Sequence, residues 1–363
     1  MFNFQKLNSS ATIIGSQIQV PTKAQIVQMF QQHFSDTTPK KLGGLKGLKN
    51  VAQKLPFQTD KEYDVIVIGG GTGGISFAQE ARTLGMSVAL FDYVTPSNQG
   101  STWGLGGTCV NVGCIPKKLF HIGCQVHETT HMLESYGWNP HDTKFEHDWE
   151  TLRNNIQNHI KAINFGYRSK MSELEIDYVN AFAKFENENE IKFQFGKDQK
   201  EYKLKAKNFV IAAGNRPRDY PGIESLKKYA ITSDDLFSLQ EDPGKTLVIG
   251  GGYIALECAG FLNGLGKDVT MINRSTFLRV MDQDMAFRIV DDMEASGVKA
   301  LTHTVPVNVE KIGDKLYEVE LKTKEKTHKI QVNTILVAIG RDAQPDKIGL
   351  SNAGVEIAKS WKV

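Results

Sequence analysis

The chain has 363 residues, enough for two domains with separate cores. Its 43 Lys and Arg nearly balance 41 Asp and Glu, so net charge favours neither nucleic acid nor an anionic membrane as a partner. No apolar run approaches the roughly 20 residues that span a bilayer, and 4 cysteines exclude a disulfide-rich scaffold, so we expect a soluble protein.

Residues 1–60 differ in character from the rest of the chain. The stretch at 11–32 predicts a strand, a turn and a helix, and "KKLGGLKGLKN" at 40–50 predicts a flexible basic linker. A glutaredoxin-like redox role is disfavoured, because Val20 and Lys23 stand where paired cysteines are needed. This segment has no secretory apolar region and no arginine, so we expect an N-terminal extension of a cytoplasmic rather than a mitochondrial protein.

A first βαβ unit begins at Tyr63, with the sequence "YDVIVIGGGTGGISFAQEARTLGMSVALFDY". Its turn has the pattern G-x-G-x-x-G, formed by Gly69, Gly71 and Gly74. The first glycine permits a tight turn, the second permits close approach of a pyrophosphate, and the third permits helix–strand packing. Asp92 ends the next strand, where a carboxylate accepts hydrogen bonds from a ribose. The unit therefore predicts a dinucleotide site for a cofactor without a 2′-phosphate.

Two cysteines follow in the sequence "GGTCVNVGCIPKK", residues 106–118. Zinc is disfavoured because Cys109 and Cys114 have no second ligand pair downstream. Residues i and i+5 of a regular helix have Cα atoms about 8–9 Å apart, whereas a disulfide needs less than about 7 Å. A bridge therefore requires a distorted first turn, which Gly113 and Pro116 favour. The pattern favours a reducible, catalytic pair at a helix N-terminus, with a structural disulfide as the alternative.

The remaining cysteines and the nearest histidines favour structural roles. Cys124 and Cys258 lie in helical sequence without partners, which predicts buried, inert thiols. His121, His127 and His131 come closest to a metal-binding group, but only the last two share a helix face and no further ligand completes a site. We expect no metal.

A second βαβ unit, "KTLVIGGGYIALECAGFLNGLGKDVTMINRS", occupies residues 245–275. Its turn is the G-x-G-x-x-A variant, with Gly250, Gly252 and Ala255.

The end of its second strand carries no acidic residue. Arg274, Ser275 and Arg279 follow instead, and they offer a bidentate fork, a hydroxyl and a second cation. These groups suit a 2′-phosphate, so this unit predicts NADP(H) rather than NAD(H); the alternative is a solvated basic surface.

These motifs together resemble the pyridine nucleotide–disulfide oxidoreductases, the flavoenzymes that include glutathione reductase and lipoamide dehydrogenase. The resemblance begins with "GGTCVNVGCIPKK" and extends from about Tyr63 to the C-terminus. Other stretches are most similar to large, eukaryotic-type thioredoxin reductases, with thioredoxin–glutathione reductase as a related class. They are "WGLGGTCVNVGCIPKKLFH", "HDWETLRNNIQNHIKAINFGYR", "SDDLFSL", "GGGYIALECAGFLNGLGKDVT" and "AIGRDAQPDKIGL".

The resemblance implies an α/β fold with two Rossmann-like dinucleotide-binding domains of the glutathione-reductase type. The expected boundaries are an extension and linker at 1–60, an FAD-binding domain at 61–215 and an NADPH-binding domain at 216–340. Residues 341–363 are expected to begin the return to the FAD domain.

The resemblance also implies roles for particular residues. Cys109 would be the thiol that exchanges with the acceptor, and Cys114 the thiol that lies against the flavin. Lys117 would lie near the flavin and pair with Glu257, and Tyr253 would cover the nicotinamide pocket. FAD would be bound by Gly69, Gly71, Gly74 and Asp92, with Thr108 nearby and with Ala213 and Gly214 at the crossover between domains.

The implied reaction carries electrons from NADPH through FAD and the Cys109–Cys114 disulfide to thioredoxin or another small disulfide, with glutathione disulfide as the alternative substrate. The family continues with a Gly-Asp segment and a dimerisation domain bearing a His–Glu pair. Neither follows Gly340, and no cysteine follows Cys258. The sequence thus predicts a C-terminally truncated chain that lacks the dimerisation domain, with weak FAD binding and a doubtful dimer. A catalytically impaired nucleotide-binding remnant is the alternative function.

Overall fold

The structure is a computed structural model that describes residues 55–139 and 145–358. The predicted strand and helix at 11–32 and the predicted linker at 40–50 lie outside the described residues.

A six-stranded mixed sheet carries the first glycine turn. Its order is β3-β2-β1-β6-β5-β4; the first four strands are parallel to one another, and the β6–β5 and β5–β4 pairings are antiparallel. The buried run VIVI makes β1 a central strand, since both of its faces are covered. The strands are β1 Glu62–Ile68, β2 Val88–Phe91, β3 Asp177–Val179, β4 Lys184–Asn187, β5 Glu190–Phe195 and β6 Lys200–Ile211.

Four helices accompany this sheet, and a glycine separates two of them. The helical structure is interrupted at Gly113, and the second of the two helices begins at Cys114. The longest helix has Asp148 as its N-cap, whose carboxylate accepts a hydrogen bond from the Thr151 amide at 3.2 Å. The helices are α1 Thr72–Thr83, α2 Gly107–Val112, α3 Cys114–Met132 and α4 Trp149–Glu173, followed after α3 by the 3₁₀ helix Glu134–Tyr136.

Two short antiparallel strands connect the first sheet to the second part of the chain. Strand β7 (Arg216–Pro217) lies on the outgoing connection, and β15 (Arg341–Asp342) lies on the return. Helices α5 (Glu224–Tyr229) and α6 (Ser233–Leu236) follow β7.

A four-stranded parallel sheet, with order β10-β9-β8-β14, carries the second glycine turn. A three-stranded antiparallel sheet, β11-β12-β13, adjoins it in sequence. The remaining elements are β8 Thr246–Ile249, α7 Tyr253–Gly264, β9 Val269–Ile272, α8 Gln283–Ala295, β10 Lys299–Leu301, β11 Val305–Gly313, β12 Leu316–Lys322, β13 Thr327–Val332 and β14 Thr334–Val337.

After β15 the chain packs back on the first sheet through two 3₁₀ helices, Pro345–Ile348 and Leu350–Ala353. Ile348 and Leu350 join the buried cluster around Phe185. This packing is in keeping with the expected return at 341–363, but the expected domain boundaries stay a prediction.

The core that positions the site lies between α3 and α7. Phe120 of α3 is fully buried and stacks on Trp149 and Phe261, with ring centres 5.0 and 5.1 Å away. Burying a phenylalanine side chain contributes about 1.5–3 kcal/mol. Packing is tight here, since a Cβ on Gly264 would lie 2.7 Å from the Cβ of Cys124. The two helices therefore have little freedom to slide.

The predicted α/β class with two dinucleotide-binding units is confirmed. Among residues 55–139 and 145–358, no helix combines the length and apolar character needed to cross a membrane.

Candidate functional site

The first glycine turn requires its glycines for steric reasons. Gly69 has φ of 116°, and a Cβ there would lie 2.1 Å from the Ala212 carbonyl oxygen. A Cβ on Gly74 would lie 1.8 Å from the carbonyl oxygen of Gly69. At Gly71 the nearest atom to such a Cβ is 3.7 Å away, so this position stays open to a ligand.

A cavity of about 100 Å³ lies beside this turn. One carboxylate oxygen of Asp92 accepts a hydrogen bond from the Gly70 amide at 2.9 Å, while burial raises the pKa of this carboxyl. Of the predicted FAD residues, those that line the cavity are Gly69, Asp92, Ala213 and Gly214, whereas Gly71, Gly74 and Thr108 do not.

The two predicted redox cysteines lie on either side of a helix break. Cys109 is in α2 and partly buried, and Cys114 is the first residue of α3 and exposed. Gly113 lies between them with φ −145° and ψ −115°, and a Cβ there would lie 2.9 Å from the Thr108 carbonyl oxygen. The distortion expected from the sequence is thus present as a break between two helices.

The thiols interact with each other and with a lysine. Burial raises the pKa of Cys109 to about 11, and a hydrogen bond with the Cys114 thiol acts in the same direction. Lys117 opposes this rise by its charge. The break therefore brings Cys114 close enough to influence Cys109, although five positions separate them in sequence.

Lys117 pairs with Glu257, as the family resemblance implies. The lysine Nζ lies 2.8 Å from Glu257 Oε1, and this pair joins the first turn of α3 to α7. The hydrogen bond with Glu257 raises the pKa of Lys117, so the lysine keeps its positive charge beside the cysteines.

The second glycine turn borders a larger cavity of about 380 Å³. Tyr253 stands at its wall with 58% of its surface exposed. Ala255 is buried and does not line the cavity, in keeping with a helix–strand packing position. The other predicted nucleotide residues all line it: Gly250, Gly252, Arg274, Ser275 and Arg279.

Cys124 and Cys258 are buried, as predicted, and burial raises the pKa of both thiols. His127 and His131 share a face of α3, with their Nε2 atoms 3.2 Å apart. Within the described part of the chain, no group of three or more His, Cys, Asp or Glu is arranged to hold a metal ion.

Sequence reasoning missed a charged cluster beside the first cavity, formed by Asp234, Arg216 and Arg341. Arg216 lines that cavity together with its neighbour Asn215. The pair of acids in "SDDLFSL" is the sequence signal that could have drawn attention to it, since two carboxylates precede an apolar run there.

Comparison with known proteins agrees with this architecture. The family model described as pyridine nucleotide-disulphide oxidoreductase matches residues 63–363. The HOCl-induced flavoprotein disulfide reductase RclA from Escherichia coli, solved as a Cu(II) complex, has a similar fold. Its TM-score is 0.68 at 22% identity, covering 83% of this chain and 62% of that one.

Two curated relatives are more similar in sequence. A thioredoxin reductase of Emiliania huxleyi is 44% identical over 305 residues, or 84% of this chain and 61% of the relative. A thioredoxin reductase of Plasmodium falciparum (isolate FCH-5) is 42% identical over 301 residues, or 82% of this chain and 54% of the relative. The chain thus spans little more than half the length of these relatives. It belongs to the pyridine nucleotide–disulphide oxidoreductase family.

Proposed function

We propose that the chain is an NADPH-dependent, FAD-binding disulfide reductase of the thioredoxin reductase type. The observation that carries the proposal is the Cys109–Cys114 pair, set across a helix break beside a lysine with a raised pKa. Two cavities, each bordered by a dinucleotide-type glycine turn, add support.

The residues of the first turn fit a flavin dinucleotide. Gly71 leaves room for a pyrophosphate. Gly107 lies so close to Gly71 that a Cβ added at Gly107 would lie 2.5 Å from the Gly71 Cα. Asp92 has acceptor capacity for a ribose. FAD, when bound, accepts hydride from a reduced pyridine nucleotide and passes two electrons to a disulfide. The residues that would hold it are Gly69, Gly71, Gly74, Asp92, Thr108, Ala213 and Gly214.

The second cavity fits NADPH better than NADH. Arg274 and Arg279 are exposed cations at its wall, and Ser275 stands between them with a hydroxyl. A phosphate on the ribose gains charge-assisted hydrogen bonds from such a set, whereas a ribose hydroxyl gains much less. Gly250, Gly252, Tyr253 and Ala255 would complete the site.

The chain's own residues then act on an acceptor disulfide. The Cys109 thiolate attacks one acceptor sulfur, which breaks the acceptor's S–S bond and forms a mixed disulfide. Cys114 attacks Cys109, which releases the second acceptor sulfur and restores the Cys109–Cys114 disulfide. Two electrons and two protons leave the dithiol for the acceptor, and Lys117, held by Glu257, stabilises the thiolates.

The relatives' names favour thioredoxin as the acceptor, and glutathione disulfide is the alternative. A cytoplasmic location and the dimeric state of the chain stay predictions.

Cys114→Ser tests the proposal in flavin-loaded protein. We expect loss of NADPH-dependent reduction of a small aromatic disulfide, by about a thousandfold, with FAD still bound. Cys124→Ala is the matched control, because that thiol is buried and outside the pair, and it should keep the activity. Undiminished reduction by Cys114→Ser would contradict the proposal, and a wild-type chain that takes up no flavin would favour the nucleotide-binding remnant.

A further inference from the structure

A buried carboxylate contacts two arginines near the site and has no part in the chemistry above. The side chain of Asp234 in α6 has 0% exposure. It is not needed to cap its helix, because Thr232 and Asp235 form a capping box there. A buried charge without a capping role needs another explanation, since its desolvation is costly.

Two arginines from different connections share this carboxylate. Arg341 Nη1 lies 3.0 Å from Asp234 Oδ1, and Arg216 Nε lies 3.2 Å from Oδ2. Arg216 belongs to β7, where the chain leaves the first sheet, and Arg341 belongs to β15, where it returns. Asp234 is therefore the common anchor of both connections.

Each arginine also reaches a candidate site. Arg216 lines the first cavity, and its guanidinium lies 4.7 Å from the centre of the Trp103 ring. Arg341 follows Gly340, which lines the second cavity. The Nη2 atom of Arg341 lies 3.3 Å from Oγ1 of Thr108, the residue before Cys109.

We propose that Asp234 is a positioning residue, which through Arg341 and Arg216 fixes the redox helix α2 and the two cavities relative to one another. Asp234 touches none of the reacting groups itself. Loss of its charge leaves two partly buried guanidinium groups that repel each other, so both connections and the first turn of α2 loosen. The consequence for electron transfer rests on the proposed function, whereas the consequence for Cys109 does not.

Alkylation of the reduced, flavin-free chain tests the effect on Cys109. In Asp234→Asn we expect iodoacetamide to modify Cys109 about fivefold faster, because the thiol becomes more accessible. Buried Cys124 and Cys258 report global unfolding, and their rates should stay within about twofold. Unchanged modification of Cys109, or an equal rise at Cys109, Cys124 and Cys258, would overturn the proposal.

Three further variants extend the test: Asp235→Asn, Arg341→Gln and the double variant with both Asp234→Asn and Arg341→Gln. Asp235→Asn removes the neighbouring buried carboxylate and should leave the Cys109 rate within about twofold of wild type, because Asp234 still holds its arginines. For the Cys109 rate, Arg341→Gln should match Asp234→Asn, and the double variant should add nothing, because both changes break the contact between Asp234 and Arg341 that leads to Thr108. Independent, additive effects would contradict the shared link.

The flavin-loaded protein tests the effect of Asp234 on electron transfer. In Asp234→Asn we expect the flavin to be reduced by NADPH about tenfold more slowly, while the Kd values for FAD and NADPH stay within about threefold. Equal losses in rate and in affinity would indicate general damage and not positioning. If the wild-type chain binds no flavin, the proposed function fails, and the alkylation experiment still decides the role of Asp234.

Discussion

Cys109 has a thiol whose ionisation is opposed by burial and assisted by one nearby cation. Its pKa is raised to about 11, and two groups oppose the rise: the Cys114 backbone through a hydrogen bond and Lys117 through its charge. Removing the lysine charge raises this pKa further, which reduces the thiolate fraction at every pH below it. We therefore expect the alkylation rate of Cys109 in Lys117→Gln to fall about threefold at pH 9.5.

The pH dependence checks the same point. In wild type the alkylation rate of Cys109 should keep rising with pH until about pH 11, because only the thiolate reacts. Lys118→Gln is the control, since that lysine is exposed and adjacent in sequence. Equal rates for the two lysine variants would contradict the assignment.

The proposed preference for NADPH over NADH rests at the residue scale on Arg274, which lines the second cavity. In Arg274→Gln we expect the Kd for NADPH to rise about tenfold and the Kd for NADH to stay unchanged, because only NADPH carries the 2′-phosphate. Isothermal titration calorimetry measures both. Arg288→Gln removes an exposed arginine of α8 that does not line the cavity, and it should alter neither. A parallel loss of both nucleotides in Arg274→Gln would show that this arginine does not discriminate.

Helices α2 and α3 depend on the break at Gly113. In Gly113→Ala the new Cβ lies 2.9 Å from the Thr108 carbonyl oxygen and 3.3 Å from the Cys109 Cα, so the backbone must shift. We expect the free energy of unfolding to fall by about 1–3 kcal/mol. Urea denaturation measures the change.

Gly166→Ala is the matched control in helix α4. Apart from its chain neighbours and the adjacent backbone of its own helix, no described atom lies within 4 Å of a Cβ at Gly166. This change should raise the free energy of unfolding by about 0.5–1 kcal/mol, because alanine favours a helix interior over glycine. If Gly113→Ala and Gly166→Ala change the free energy of unfolding equally, the inference that a Cβ at Gly113 clashes with the backbone is wrong.

The sequence predicted the regular elements well, because their signals are local. The runs VIVI and TLVI, each followed by a glycine turn, indicate buried strands in βαβ units, and both units are present. The pairing of β7 with β15 could not be predicted, since each strand has two residues and they are far apart in the chain. The distortion was predicted at Gly113, but its form as a complete break was not, because a distorted first turn and a complete break require the same glycine.

At the scale of the whole molecule, sequence motifs predicted where the candidate site lies. Most contacts between its residues could not be predicted, because they join residues far apart in the chain. The pairing of Lys117 with Glu257 was implied by the family resemblance alone, since 140 positions separate the two residues. The proposed anchoring role of Asp234 was not predicted, because the paired acids of "SDDLFSL" mark the position but do not encode burial of an aspartate between two distant connections. The glycine and cysteine spacings were predictable, since they satisfy steric demands within a few residues.

The proposed function requires donor nucleotide, flavin and cysteine pair to act in series within this chain. Anaerobic addition of one equivalent of NADPH to the flavin-loaded protein tests it most directly, with absorbance and per-cysteine alkylation recorded together. We predict a long-wavelength band from a thiolate against the flavin, together with new alkylation at Cys109 and Cys114. Bleaching of the flavin without the band, and without newly reactive thiols at these two positions, would contradict the account.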